Sequence, residues 1–140
     1  MRNFAWMAVV AFALTITGCK YEEGPFMSFV SKENRVAQIW EVEYATDAKG
    51  EDVTSTFSSW ILDFQEDGTA SISLEIIGFP VDLTGTWALE DSKEEFRIQT
   101  DEINGVTLFG GRYDILRLTR TEFWLIDDNN PEAVIHLKIK

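Results

Sequence analysis

The chain has 140 residues, 45% of them hydrophobic, and carries 24 acidic against 12 basic side chains for a formal charge of −12. The hydrophobic share excludes a disordered chain, and the acidic excess excludes nucleic-acid binding, which draws most of its affinity from Lys and Arg on phosphates. Acidity of this size serves solubility first, and the length suits a single domain with one core.

The first element is a leader. Met1-Arg2-Asn3 is a short basic start, and Phe4 to Thr17 is apolar apart from threonines and uncharged. At roughly 14 residues this run is shorter than the ~20 that cross a bilayer as a helix, so it reads as the core of a signal peptide. Ile16-Thr17-Gly18-Cys19 follows and resembles the lipobox read by lipoprotein-processing enzymes. Cys19 is the only cysteine, cannot pair within the chain, and stands where a lipid would be attached. The expectation is cleavage before Cys19 and acylation of its thiol and new amino terminus. Dozens of buried methylenes at ~0.8 kcal/mol each would then hold the protein on a membrane. Removing residues 1–18 takes away Arg2 and no acid, leaving 11 bases, 24 acids and a charge of −13.

Lys20-Tyr21-Glu22-Glu23-Gly24-Pro25 is polar and turn-prone, a tether between anchor and domain. A lysine with paired acids just after the cysteine resembles the surface-export signal of Bacteroidota lipoproteins. The expected location is the outer membrane, with the cell-surface and periplasmic faces both open. The domain reading is a signal peptide over 1–18, a lipidated cysteine and tether over 19–30, and one folded domain over 31–140.

From Val36 onward, short apolar-alternating runs separated by turn residues predict an antiparallel all-β domain. Helix is confined to a turn or two around Ser31 to Arg35. In the first run Val36, Gln38, Trp40, Val42 and Tyr44 share a face, and Asp47 to Gly50 ends it. The second places Trp60, Leu62 and Phe64 together, and Glu66-Asp67-Gly68 closes a hairpin. The third aligns Ala70, Ile72, Leu74 and Ile76 before Gly78-Phe79-Pro80 breaks it. The fourth aligns Val81, Leu83, Gly85, Trp87 and Leu89, with Gly85 marking a bulge or a close backbone approach.

Phe96 and Ile98 define the fifth run, followed by Asn104-Gly105 as either a tight hairpin tip or part of one loop reaching Gly110-Gly111. Three further strands cover Arg112 to Thr119, Glu122 to Asp127 and Glu132 to Lys140. About eight sequential strands with short connections predict an up-and-down barrel, which closes on itself and leaves no edge. A two-sheet β-sandwich is the alternative, disfavoured because only the loop from about Asp101 to Gly111 is long enough for a Greek-key crossover.

Residues across the whole run resemble the lipocalin-like lipoproteins of Bacteroidota. They are Ser31 to Val36 leading into Trp40-Glu41-Val42, Leu62-Asp63-Phe64 with Asp67-Gly68-Thr69, and Thr84-Gly85-Thr86-Trp87 followed by Lys93. Tyr113 to Leu118 and Glu122 to Leu125 match the closing strands. The resemblance spans about Gly24 to the end and implies an eight-stranded lipocalin-like barrel on a lipid anchor. It implies no ligand.

Catalytic chemistry finds no constellation. His136, the one histidine, falls on the Val134, His136, Lys138 face of the last strand and reads as a surface residue. An acylated Cys19 is no nucleophile, and no phosphate loop, H-E-x-x-H or paired Cys-x-x-Cys occurs, so neither cofactor nor metal is expected. Asp127, Asp128, Asn129, Asn130 and Glu132 depart from the EF-hand spacing, and a hairpin turn with Asn at positive φ explains them. Adjacent acids such as Glu94-Glu95 point to opposite strand faces and cannot flank one glycosidic bond.

Aromatics carry the stronger signal. Trp40, Trp60, Phe64 and Trp87 lie on inferred inward faces, where they either fill a small barrel or line a cavity for one small ligand. Phe123 and Leu125 alternate with Trp124 and Ile126, so that strand is apolar on both faces and its outer side calls for a cover, from Phe26 to Val30 or from a partner. The functional expectation is a membrane-anchored, non-enzymatic binding module for a small apolar or amphipathic ligand among those four aromatics. The alternative is a filled barrel that acts as an accessory or inhibitory subunit on an envelope protein.

Overall fold

A computed structural model describes residues 30–140, so the expected signal peptide, lipidated Cys19 and tether and the Phe26 to Phe29 part of the expected cover lie outside the described residues. One helical turn precedes the strands, α1 (Lys32–Val36). Ser31 supplies its N-cap, the Oγ accepting from Asn34 N at 3.2 Å, and Arg35 sits in its last turn, where a cation suits the carbonyl end.

Eight antiparallel strands follow: β1 (Ile39–Ala45), β2 (Ile61–Phe64), β3 (Thr69–Ile76), β4 (Phe79–Glu90), β5 (Glu95–Thr100), β6 (Gly110–Leu118), β7 (Glu122–Asp127) and β8 (Asn130–Ile139). They pair in sequence order, and β1 also pairs β8, from Trp40 opposite Ile139 to Ala45 opposite Ile135. The sheet is therefore a closed all-β barrel, as the turn spacing predicts, and the sandwich alternative falls. Strict alternation explains the inner wall: Leu62, Phe64, Ala70, Ile72, Leu74, Leu83, Trp87, Phe96 and Ile98 are all buried, while their strand neighbours face out. Each large apolar side chain so buried contributes roughly 1.5–3 kcal/mol. An apolar interior and a polar wall reverse the pattern of a membrane-spanning barrel. Among the described residues, no helix is long and apolar enough to cross a membrane.

Departures from the sequence reading have local causes. A register shift between Val42 and Tyr44 inserts a bulge into β1, so Ala45 turns inward and Tyr44, expected on the Trp40 face, turns out. The break after the third run is only Ile77-Gly78, because Phe79 and Pro80 already pair with Ile76 and Glu75 as the start of β4. Both readings of the 101–111 stretch hold in part, since Asn104 and Gly105 form a tight turn at positive φ, bridged by Ile103 and Val106, within a longer loop. Gly85 marks a close approach: a Cβ there would collide with the Gln99 carbonyl oxygen and lie 2.7 Å from Thr100 Cα.

Antiparallel order puts α1 and the β2–β3, β4–β5 and β6–β7 turns at one end. Here α1 acts as a plug: Val36 is fully buried, Arg35 Nη1 donates to Leu118 O at 2.9 Å, and Gln38 Nε2 donates to Arg120 O at 3.1 Å. The Lys93–Glu33 ion pair (2.9 Å) ties the β4–β5 turn to the same plug. The opposite end, the mouth, is formed by the β1–β2, β3–β4, β5–β6 and β7–β8 connections and carries no α-helix.

Candidate functional site

The interior aromatics form two storeys. At the plugged end Trp40 meets Phe123 (ring centroids 5.7 Å), Phe123 meets Phe96 (5.1 Å), and Phe96 meets both Phe64 (5.3 Å) and Trp87 (6.2 Å). Both indoles here spend their N–H on backbone, Trp40 Nε1 donating to Val36 O at 2.8 Å and Trp87 Nε1 to Gln65 O at 2.9 Å. Trp40 is 0% and Phe64 1% exposed. Since accessible surface includes the walls of any water-sized void, these two rings border none, and this storey is a solid floor.

The second storey lies at the mouth, where Trp60, Phe109 and Tyr113 are buried beneath the loops. Phe57, in a short 3₁₀ turn (Thr54–Phe57) of the β1–β2 loop, meets Trp60 edge-on at 4.8 Å. Trp60 meets Phe109 at 6.0 Å, and Phe109 stacks on Tyr113 at 5.7 Å and 16°. Thr100 Oγ1 donates to Phe109 O at 2.6 Å, fixing the β5–β6 loop so that Phe109 points in. The Tyr113 hydroxyl donates to Gly110 O (3.3 Å), and burial, reinforced by Asp127, pushes its pKa up to about 12. Of the four aromatics singled out in sequence, Trp40, Phe64 and Trp87 come together in the floor and Trp60 stands apart in the mouth. Phe57, Phe109 and Tyr113 were not singled out, because two sit in loops where no alternation marks a face.

Beside the mouth, an open polar groove of about 660 Å³ runs between the end of β5 and the start of β6, bordered by Gln99, Asp101, Glu102, Thr107, Gly110 and Gly111. Thr84 Oγ1 donates to Asp101 at 2.7 Å, which holds one acid at its edge.

On the outer wall a row of rings crosses four strands. Arg117 of β6 lies 5.1 Å over Trp124 of β7, Trp124 stacks on His136 of β8 (4.2 Å, 9°), and Tyr44 of β1 closes the row at 5.4 Å from His136. Arg117 Nε also lies 3.1 Å from Glu122. His136 thus faces outward as expected but is half-buried between aromatics, and burial lowers its pKa against the opposing pull of Glu43 and Glu122. The outer side of Trp124 is covered in part by this row.

Acidic groups fall in two arrangements. In the β7–β8 turn, Asp127 Oδ1 accepts from Asn129 N (2.8 Å) and Asn130 Oδ1 from Glu132 N (3.1 Å). Side-chain caps therefore make this turn, not the positive φ expected of Asn, and neither Asn129 nor Asn130 is left-handed. Elsewhere Glu95, Asp114 and Asp128 bring carboxylate oxygens within 4.8 Å of one another. Desolvation, then Asp128, Asp91 and Asp114, raise the Glu95 pKa, while Arg112 opposes them.

No protein-family model and no curated protein sequence matches the chain. Among solved structures it is similar to a lipocalin-like protein from Bacteroides uniformis, with a TM-score of 0.61 at 15% identity over 76% of this chain and 99% of that one. The fold is lipocalin-like. Identity this low speaks to the fold alone.

Proposed function

We propose that the protein is a lipid-anchored binding module that receives a small apolar or amphipathic ligand at the mouth of its barrel. The observation that carries this reading is the division of the interior. A ligand cannot reach Trp40 or Phe64 without unpacking the floor, whereas Trp60, itself 7% exposed, lies under the β1–β2 loop beside Phe57, which is only partly buried, and is reached by displacing that loop. Ligand pockets combine apolar walls with a few polar groups, and the mouth offers four rings beside the polar edge of Thr100 and the groove. Of the cavity residues expected from sequence, Trp60 is the one that would touch ligand, while Trp40, Phe64 and Trp87 would support it from below. His136, packed between Trp124 and Tyr44, supports no proton-transfer role.

Attachment through acylated Cys19 to the outer membrane belongs to the same proposal. The described chain begins at the plugged end, opposite the mouth. Mass spectrometry of the mature amino terminus tests this part: a triacylated Cys19 is expected, and a free thiol or a retained leader contradicts it.

The binding test uses tryptophan fluorescence with a neutral long-chain amphiphile as probe. Saturable quenching or enhancement is expected, abolished by Trp60→Phe and retained in Trp87→Phe. Absence of any response in the wild type contradicts the reading and leaves the filled-barrel interaction protein, which the solid floor favours.

A further inference from the structure

The β3–β4 hairpin does not stop at the rim. The last rung between β2 and β3 is Ile61 opposite Ser73, and the last between β4 and β5 is Gly85 opposite Thr100. Beyond them Leu74–Ile76 and Phe79–Val81 make ladder pairs only with each other, while Asp82 and Leu83 still pair with Ser73 and Ile72, which β2 holds on the other side. Three residues in each arm at ~3.3 Å apiece carry the tip about 10 Å along the strands past the last rung shared with β2. Ser59 Oγ accepts from Glu75 N at 3.2 Å and steadies the base of this finger.

Its tip is apolar and outward. Ile77 is 92% exposed, Phe79 72%, and Ile76 is exposed as well, while Val106 on the neighbouring β5–β6 loop is 57% exposed. Ile77 and Gly78 both lie at positive φ, 51° and 77°, the geometry of a type I′ turn, which favours Asn-Gly. A β-branched residue in the left-handed region is an outlier. Nothing in the fold rewards it, since the Ile77 side chain packs on almost nothing. Folding alone would therefore be served better by Asn.

Charge says what such a finger meets. The connections at the mouth carry Asp47, Glu51, Asp52, Asp101 and Glu102 against the single base Lys49, and β3 and β4 add Glu75 and Asp82 on the hairpin itself, while Asp128 lies beside Glu95 and Asp114. At the plugged end, α1, the three turns and the C-terminal residue carry five acids and five bases. The finger therefore stands at the end with the acidic excess, beside Asp101 and Glu102 of the neighbouring β5–β6 loop, a setting that repels anionic lipid headgroups and attracts a basic surface. We infer that the Ile76–Phe79 finger is a docking element for a partner protein presenting a basic amphipathic segment, with Ile77 and Phe79 entering its apolar face and the acidic loops meeting its cations. This interaction is separate from ligand uptake at the mouth and stands or falls without it.

The test measures binding of a fluorescent Leu/Lys amphipathic helical peptide to the intact protein, beside a Leu/Glu peptide with the same apolar face, and follows sedimentation of the protein alone and with phosphatidylcholine vesicles. The Leu/Lys peptide is expected to bind at least about tenfold more tightly than the Leu/Glu peptide. The double variant Ile77→Asn/Phe79→Thr is expected to weaken it by about tenfold, while Ile77→Asn alone raises the thermal midpoint. Asp101→Asn/Glu102→Gln is expected to flatten the salt dependence without unfolding the protein. Equal affinity for both peptides, or undiminished binding by the double variant, overturns the inference. Capture by the vesicles, or self-association lost with Ile77→Asn, overturns it too, by naming a lipid surface or a second copy as the occupant.

Discussion

Gly85 is confined by the backbone of β5, where a methyl group would run into the Gln99 carbonyl. Neither neighbour is a flexible side-chain end, so relief requires opening the β4–β5 ladder. Gly85→Ala is expected to cost roughly 3 kcal/mol or more, read from the denaturant midpoint, against the 1–3 usual for overpacking a core. His136 gives a pH prediction. Burial between Trp124 and Tyr44 lowers its pKa below the ordinary 6.5, so the folded protein takes up this proton less readily than the unfolded chain. The stability present above pH 6.5 is then lost as the pH falls from there through the lowered folded value. An NMR titration of the His136 ring should show a midpoint below 6.5, and His136→Gln should remove that part of the acid slope. A midpoint at or above 6.5 would contradict the packing described for the row.

At the scale of elements, uninterrupted alternation is what made strands legible. The inward set from Leu62 to Ile98 follows β2 to β5 residue by residue, because no bulge changes the phase there. β1 was read wrongly from Tyr44 onward because its bulge has no sequence mark: Glu43-Tyr44-Ala45 carries neither glycine nor proline. The mouth was half legible for a related reason. Trp60 opens a strand and shares its face with Leu62, whereas Phe57 and Phe109 are aimed inward by loop hydrogen bonds that no periodicity encodes. The row from Arg117 to Tyr44 depends on cross-strand register between distant segments and was out of reach altogether. The plug offers its own test. Ser31→Ala removes the cap of a five-residue helix and should lower stability by roughly 0.5–1 kcal/mol in denaturant titration, toward the lower end because the helix is short.

For the whole molecule, closure is the decisive feature. β1 and β8 are paired although nearly the full folded length of chain separates them, so the last rungs, such as Trp40 opposite Ile139, close the longest loop in the fold. Closure leaves free edges only on the projecting β3–β4 hairpin and sets a helix-plugged end opposite a loop-formed mouth. The acidic composition, read from sequence as a matter of solubility, proves unevenly placed, balanced at the plug and concentrated at the mouth. The ligand-binding reading depends on the floor being closed and the mouth admitting a ligand. The most direct measurement is the set of indole N–H resonances during titration with a neutral long-chain amphiphile. The Trp60 resonance should shift and saturate while those of Trp40 and Trp87, bonded to Val36 O and Gln65 O, stay where they are. A shift of Trp40 as large as that of Trp60 would mean that ligand penetrates the floor, and would contradict the account.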